Sequence, residues 1–121
     1  MTGNFNDATS IYLQIAAMLE DDILRGVLLE QERVPSTNEL ARAYSINPAT
    51  AAKGINLLVE EEILYKKRGI GMFVAEGARQ KIIQKRKNAF YETYVTSLVR
   101  EARALGLTND ELKAMIEKAQ R

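Results

Sequence analysis

Cysteine and histidine are both absent from the 121 residues. Without thiols there can be no disulfide and no thiolate zinc site, and without imidazole the commonest general acid and base is missing. No nucleophile, base and orienting group can be assembled from recognisable motifs. A non-enzyme is therefore expected, with no catalytic residue, metal or cofactor. Long apolar runs are lacking too: no stretch approaches the ~18 residues of a membrane span. The opening residues, MTGNFNDATS, have neither the cationic start nor the apolar run of a secretion signal. The expectation is a cytoplasmic protein with no membrane partner.

Apolar residues make up 46% of the chain and charged residues 27%, a balance that supports a packed core. At this length a small domain with an appendage is expected. The net charge is only +1, but it is unevenly distributed. Residues 1–62 hold 4 Lys/Arg against 10 Asp/Glu, residues 63–88 hold 8 against 1, and residues 89–121 hold 5 against 5. Cations gathered into one short segment of a nearly neutral chain make a local surface for an anion.

Ile11, Ile15, Leu19 and Ile23 recur every four positions, with Ala16 and Met18 widening the stripe, which predicts an amphipathic helix over 11–25. Ser10 or Thr9 can cap its start, and Gly26 suits the residue past its end. Residues 27–35 read as extended or looped, because Pro35 disfavours helical geometry at Val34. Ser36-Thr37-Asn38-Glu39 has capping-box spacing: the hydroxyl takes the amide hydrogen three residues on, and the carboxylate returns to the first amide. It opens a short helix to about Tyr44. Asn47-Pro48 joins a strong N-cap to a residue preorganised for the first helical position, so a third helix is predicted from Pro48 to about Glu61. Ala51, Ile55, Leu58 and Val59 form its core stripe, leaving Asn47, Thr50, Lys53 and Asn56 towards another face. Gly54 is unusual there, at a cost of about 1 kcal/mol relative to Ala.

Residues 63–67 and 72–74 read as short strands joined through Arg68-Gly69-Ile70-Gly71 as a hairpin. From Ala78 a long helix is predicted to a stop at Gly106. Its apolar residues cover more circumference than one small neighbour can bury. Thr108-Asn109-Asp110-Glu111 is a second capping box and starts a final helix. Residues 78–121 thus read as a helical hairpin that is most economically covered by a second copy, through Phe90, Tyr91, Tyr94, Val95, Leu98, Leu105, Leu112, Met115 and Ile116. Arg79, Lys81, Lys85, Arg86 and Lys87 read as solvation of the long helix, with contact to an external anion as the alternative.

The order helix, helix, turn, helix, β-wing resembles the GntR family of bacterial transcription regulators, in its short YtrA-type branch. The segments that carry the resemblance are Ile11-Tyr12-Leu13-Gln14-Ile15, Arg33-Val34-Pro35-Ser36-Thr37-Asn38-Glu39-Leu40-Ala41, Ile46-Asn47-Pro48-Ala49-Thr50 and Gly69-Ile70-Gly71-Met72-Phe73-Val74. The resemblance implies a mainly α protein with a small β-wing: a winged helix-turn-helix over 1–77 and a two-helix dimerisation hairpin over 78–121. It further implies a homodimer on an inverted-repeat operator in double-stranded DNA, usually acting as a repressor. Asn47, Thr50, Lys53 and Asn56 become the readers of bases. Arg33, Ser36, Thr37 and Asn38 meet the backbone or an adjoining base, although Asn38 stands where many members have arginine. Lys66, Lys67 and Arg68 neutralise phosphates, and Gly69 and Gly71 allow close approach. Two rival readings are a winged-helix protein-interaction module and a small-molecule sensor, the latter with an effector beside Phe90, Tyr91 and Tyr94.

Overall fold

The computed structural model describes residues 10–121, which fall into two compact units, one reaching to Ile83 and one starting at Gln84. In the first, α1 (Ile11–Leu24), α2 (Thr37–Tyr44) and α3 (Pro48–Glu60) precede an antiparallel hairpin of β1 (Leu64–Lys67) and β2 (Gly71–Val74). Its register pairs Leu64 with Val74, Tyr65 with Phe73, Lys66 with Met72 and Lys67 with Gly71.

The helix starts follow from local chemistry. Ser36 Oγ accepts the Glu39 amide at 3.1 Å, and Glu39 Oε1 accepts the Ser36 amide at 3.1 Å, so the capping box of α2 is complete. Ser45, left-handed at φ 54°, ends that helix. Asn47 Oδ1 accepts the Ala49 amide at 2.8 Å and opens α3. α1 is the exception, because Ser10 makes no side-chain cap bond. Thr9, the other candidate, lies outside the described residues.

Ile15, Leu19, Leu40, Ile55, Leu58, Ile63, Leu64, Val74 and Ile82 form the core of this unit, each 2% exposed or less. Burying a side chain of this kind contributes roughly 1.5–3 kcal/mol relative to exposure. Residues 31–34 run beside β2 as an irregular third strand: Val34 donates to the Met72 carbonyl at 2.9 Å, and Val74 to the Glu32 carbonyl at 2.9 Å. α4 (Ala78–Phe90) starts within this core, where Ala78 and Ile82 are fully buried. Two cations expected to be solvated have partners instead. Arg79 Nε donates to the Leu24 carbonyl at 3.1 Å, and Lys81 Nζ to the Glu62 carbonyl at 3.1 Å. They satisfy carbonyls at and just beyond the C-terminal ends of α1 and α3, where positive charge is also favoured by the negative end of the helix dipole.

In the second unit the expected unbroken helix is interrupted. A π-helical turn at Tyr91–Val95 separates α4 from α5 (Thr96–Ala104), and α6 (Asn109–Ala119) follows. Thr96 Oγ1 donates to the Glu92 carbonyl at 2.6 Å and Ser97 Oγ to the Thr93 carbonyl at 3.0 Å, so hydroxyls compete with amides for those acceptors. The Thr108–Glu111 capping box forms as spaced. α6 buries none of its residues. Phe90, Tyr91, Tyr94, Leu98, Leu105, Met115 and Ile116 are between 44% and 65% exposed, while Val95 and Leu112 are half-buried.

Candidate nucleic-acid interface

α3 turns Ala51, Gly54, Ile55 and Leu58 inward. At ~100° per residue, Ala49, Lys53, Asn56 and Glu60 fall on the opposite stripe. Ala49, Ala52, Lys53, Asn56 and Glu60 line an open groove of about 570 Å³ together with Tyr12 of α1. Thr50 lies nearer α1, half-buried, in an adjoining groove with Ser10, Ile11, Tyr12, Ala49 and Lys53. Asn47 is exposed, but its amide oxygen is engaged by the cap, so bidentate pairing with adenine must share that oxygen.

Lys53 looks unconstrained in the sequence, between small neighbours, yet its ammonium sits 4.1 Å from the centroid of the Tyr12 ring. Gly54 explains the approach. A Cβ there would lie 2.8 Å from the Tyr12 carbonyl oxygen and 2.9 Å from Ile15 Cγ2, so the missing side chain lets α1 close on α3. Tyr12 was not a sequence candidate. Its signal was an aromatic residue at the start of an otherwise aliphatic helix.

The wing sorts its three cations. Lys67 Nζ lies 4.4 Å from the Phe73 ring centroid, and Phe73 stacks on Tyr65 at 5.9 Å. The Tyr65 hydroxyl donates to Gln31 Oε1, tying the stack to the segment beside β2. Lys66 and Arg68 are exposed and unpaired among the described residues. Between them and β2 the chain reverses, with the Ile70 amide on the Lys67 carbonyl at 2.9 Å and Gly69 at φ 77°, as a tight turn with a left-handed third residue requires.

Arg33 lies across the base of the wing. A Cβ on Gly71 would meet its Nε at 2.9 Å, and its guanidinium is 3.8 Å from Glu39 Oε1. Glu39 in turn is held below the usual carboxylate range, first by the Ser36 amide and hydroxyl and then by Arg33 and Arg42. Ser36 and Thr37 are half-buried at the start of α2, and Asn38 is exposed beside them. Thus Arg33, the front of α2, the outer face of α3 and the wing belong to one unit. Its exposed cations gather on the wing and at Arg33, Arg42 and Lys53.

No group of His, Cys, Asp or Glu among the described residues is placed to hold a metal, and no described helix is long and apolar enough to cross a membrane.

A helix-turn-helix followed by a two-stranded wing defines a winged-helix regulator. The chain belongs to the GntR family of bacterial regulatory proteins, whose family model matches residues 11–74. It is 30% identical over 112 residues to the HTH-type transcriptional regulator YhcF of Bacillus subtilis, covering 93% of this chain and 91% of that one. It is also 27% identical over 111 residues to the HTH-type transcriptional repressor YtrA of the same organism, covering 92% and 85%. Among solved structures, a GntR-family transcriptional regulator from Bacteroides thetaiotaomicron superposes with a TM-score of 0.75 at 40% identity, over 89% of this chain and 94% of that one. The DNA-binding domain of AraR, solved in complex with operator ORX1, superposes with a TM-score of 0.55 at 29% identity, over 62% and 92%.

Proposed function

We propose that this protein represses transcription by binding an inverted-repeat operator in double-stranded DNA as a homodimer. The observation that carries the reading is the outer face of α3, which exposes Lys53 and Asn56 above small residues and shares a unit with exposed wing cations. A smooth helix face of this width enters a major groove about 12 Å wide. The likeness to YtrA, named a repressor, and to the AraR domain solved on its operator supports the same reading.

In this mechanism Lys66 and Arg68 neutralise phosphates and release counterions, which sets affinity. Lys67 contributes less, because its ammonium rests on Phe73. Arg33, Ser36, Thr37 and Asn38 fix the register of the front of α2 on the backbone, and Gly69 and Gly71 let the wing tip come close. Lys53, Asn56, Thr50 and the free amide nitrogen of Asn47 read base edges. Few of these groups are long, so the readout depends on a small number of base pairs.

Residues 1–77 form the DNA-binding part and residues 78–121 the dimerisation part. Support for the latter is the exposed apolar surface from Phe90 to Ile116, which a second copy covers, and a helix α6 with no fully buried residue within one chain. The protein acts in the cytoplasm as a regulator and not as an enzyme. Selection of binding sites from a random duplex library, followed by a salt titration of the enriched sequence, tests the reading. A palindromic motif with a steep salt dependence is expected; no enrichment above random sequence would refute it.

A further inference from the structure

We infer that Tyr12 is a specificity-determining positioning residue, whose ring fixes the Lys53 ammonium for base readout. The inference rests on the proposed binding of DNA by α3. Lysine has four rotatable side-chain bonds, and alone on a helix face it sweeps over phosphates and several base edges, which gives charge without selectivity. Here the ammonium lies 4.1 Å from the Tyr12 centroid, within cation–π range. One hemisphere of the ammonium faces the ring, and the other is left to donate.

The backbone that carries the ring is itself held in place. Gly54 follows Lys53 in the chain and abuts the Tyr12 carbonyl, where even a methyl group would come within 2.8 Å. The backbone of α1 is thus held against α3 at the level of the lysine. Tyr12 also lines both grooves that flank Lys53. The lysine is biased towards α1, where its ammonium meets the ring. Its donors meet the same base position in every complex, and less rotamer freedom is lost on binding.

The test uses the full chain and compares wild type with Tyr12→Leu, Tyr12→Phe, Lys53→Ala and the Tyr12→Leu/Lys53→Ala double variant in duplex-library selection. Tyr12→Leu is expected to relax preference at the base pair that Lys53→Ala relaxes, by about two- to five-fold, the range of an exposed cation–π contact. Tyr12→Phe should keep the preference, and the double variant should match Lys53→Ala. A merely structural role would weaken binding at all positions alike, and its effect would add to that of Lys53→Ala in the double variant. Independently of any variant, the Lys53 Hε protons of the free wild-type protein should be shifted upfield in NMR spectra by the ring current. Unshifted Hε protons would overturn the inference. So would a Tyr12→Leu protein that keeps the full preference while Lys53→Ala loses it, which leaves the reading of α3 standing. If Lys53→Ala loses no preference at any position, Lys53 is not a base reader, and the inference falls together with that part of the proposed function.

Discussion

Replacing Gly54 by alanine sets two effects of opposite sign against each other. In an isolated helix alanine is favoured over glycine by about 1 kcal/mol. In this fold the new Cβ would lie 2.8 Å from the Tyr12 carbonyl oxygen, 2.9 Å from Ile15 Cγ2 and 3.0 Å from Ile15 Cβ. Ile15 is fully buried and the Tyr12 oxygen belongs to the backbone, so neither obstacle can swing aside. Overpacking of a core typically costs about 1–3 kcal/mol, and contacts with main chain and a fixed side chain place this site in the upper part of that range. The expected net result is a loss of about 1–2 kcal/mol, with a fall in Tm of roughly 4–8 °C for each of them in a domain of this size. Thermal unfolding of wild type and Gly54→Ala at equal protein concentration, followed by circular dichroism, measures it. An equal or higher Tm would mean that helix propensity outweighs the helix contact, and the close approach of α1 to α3 would be refuted.

For Arg68→Ala, binding should weaken equally on all DNA sequences, and the slope of log affinity against log salt should fall by about 1, since one phosphate contact is lost. Equal slopes in mutant and wild type would place Arg68 away from the DNA. Ser36→Ala should cost about 1 kcal/mol through the lost N-cap. In that variant the Glu39 titration, followed by NMR, should move part of the way up towards the ordinary carboxylate value, because the Ser36 amide, the largest cause of its depression, remains and the hydroxyl, the next, is lost. A depressed carboxyl stabilises the fold above its unfolded pKa and loses that effect as pH falls through the folded value, so the part of the wild-type advantage that comes from the carboxylate should be lost in acid, while the N-cap bond to the Glu39 amide persists. An unmoved titration would dissociate the box from the shift. By light scattering the full chain should have twice the monomer mass, and Tyr94→Glu with Ile116→Glu should halve it; a monomeric wild type at micromolar concentration would remove the dimer.

Features set within a few residues were legible in the sequence. Both capping boxes, the Asn47-Pro48 start of α3, the two-stranded wing and the aliphatic stripe of α1 depend on neighbours in the chain, whose spacing is visible without the fold. The candidate face was legible as residue types for the same reason: helical periodicity separates Lys53 and Asn56 from the core stripe. The π-turn was not, because the apolar pattern across Tyr91–Val95 suits either helix. It is accompanied by Thr96 and Ser97 hydroxyls taking carbonyls that amides would otherwise use.

The sequence by itself determined where α2, α3 and α6 start, which stripe is buried and that positive charge gathers around the wing, since these follow from local hydrogen bonding, periodic hydrophobicity and composition. It could not determine which cations are available. Tertiary structure alone decided that Arg79 and Lys81 satisfy helix-end carbonyls, that Lys67 rests on Phe73 and that Lys53 rests on Tyr12. It also turned Gly54 from a weak helix former into the point of closest approach between α1 and α3. Each of these depends on a partner distant in the chain, and the free energy of such a contact exists only once packing has brought the two elements together.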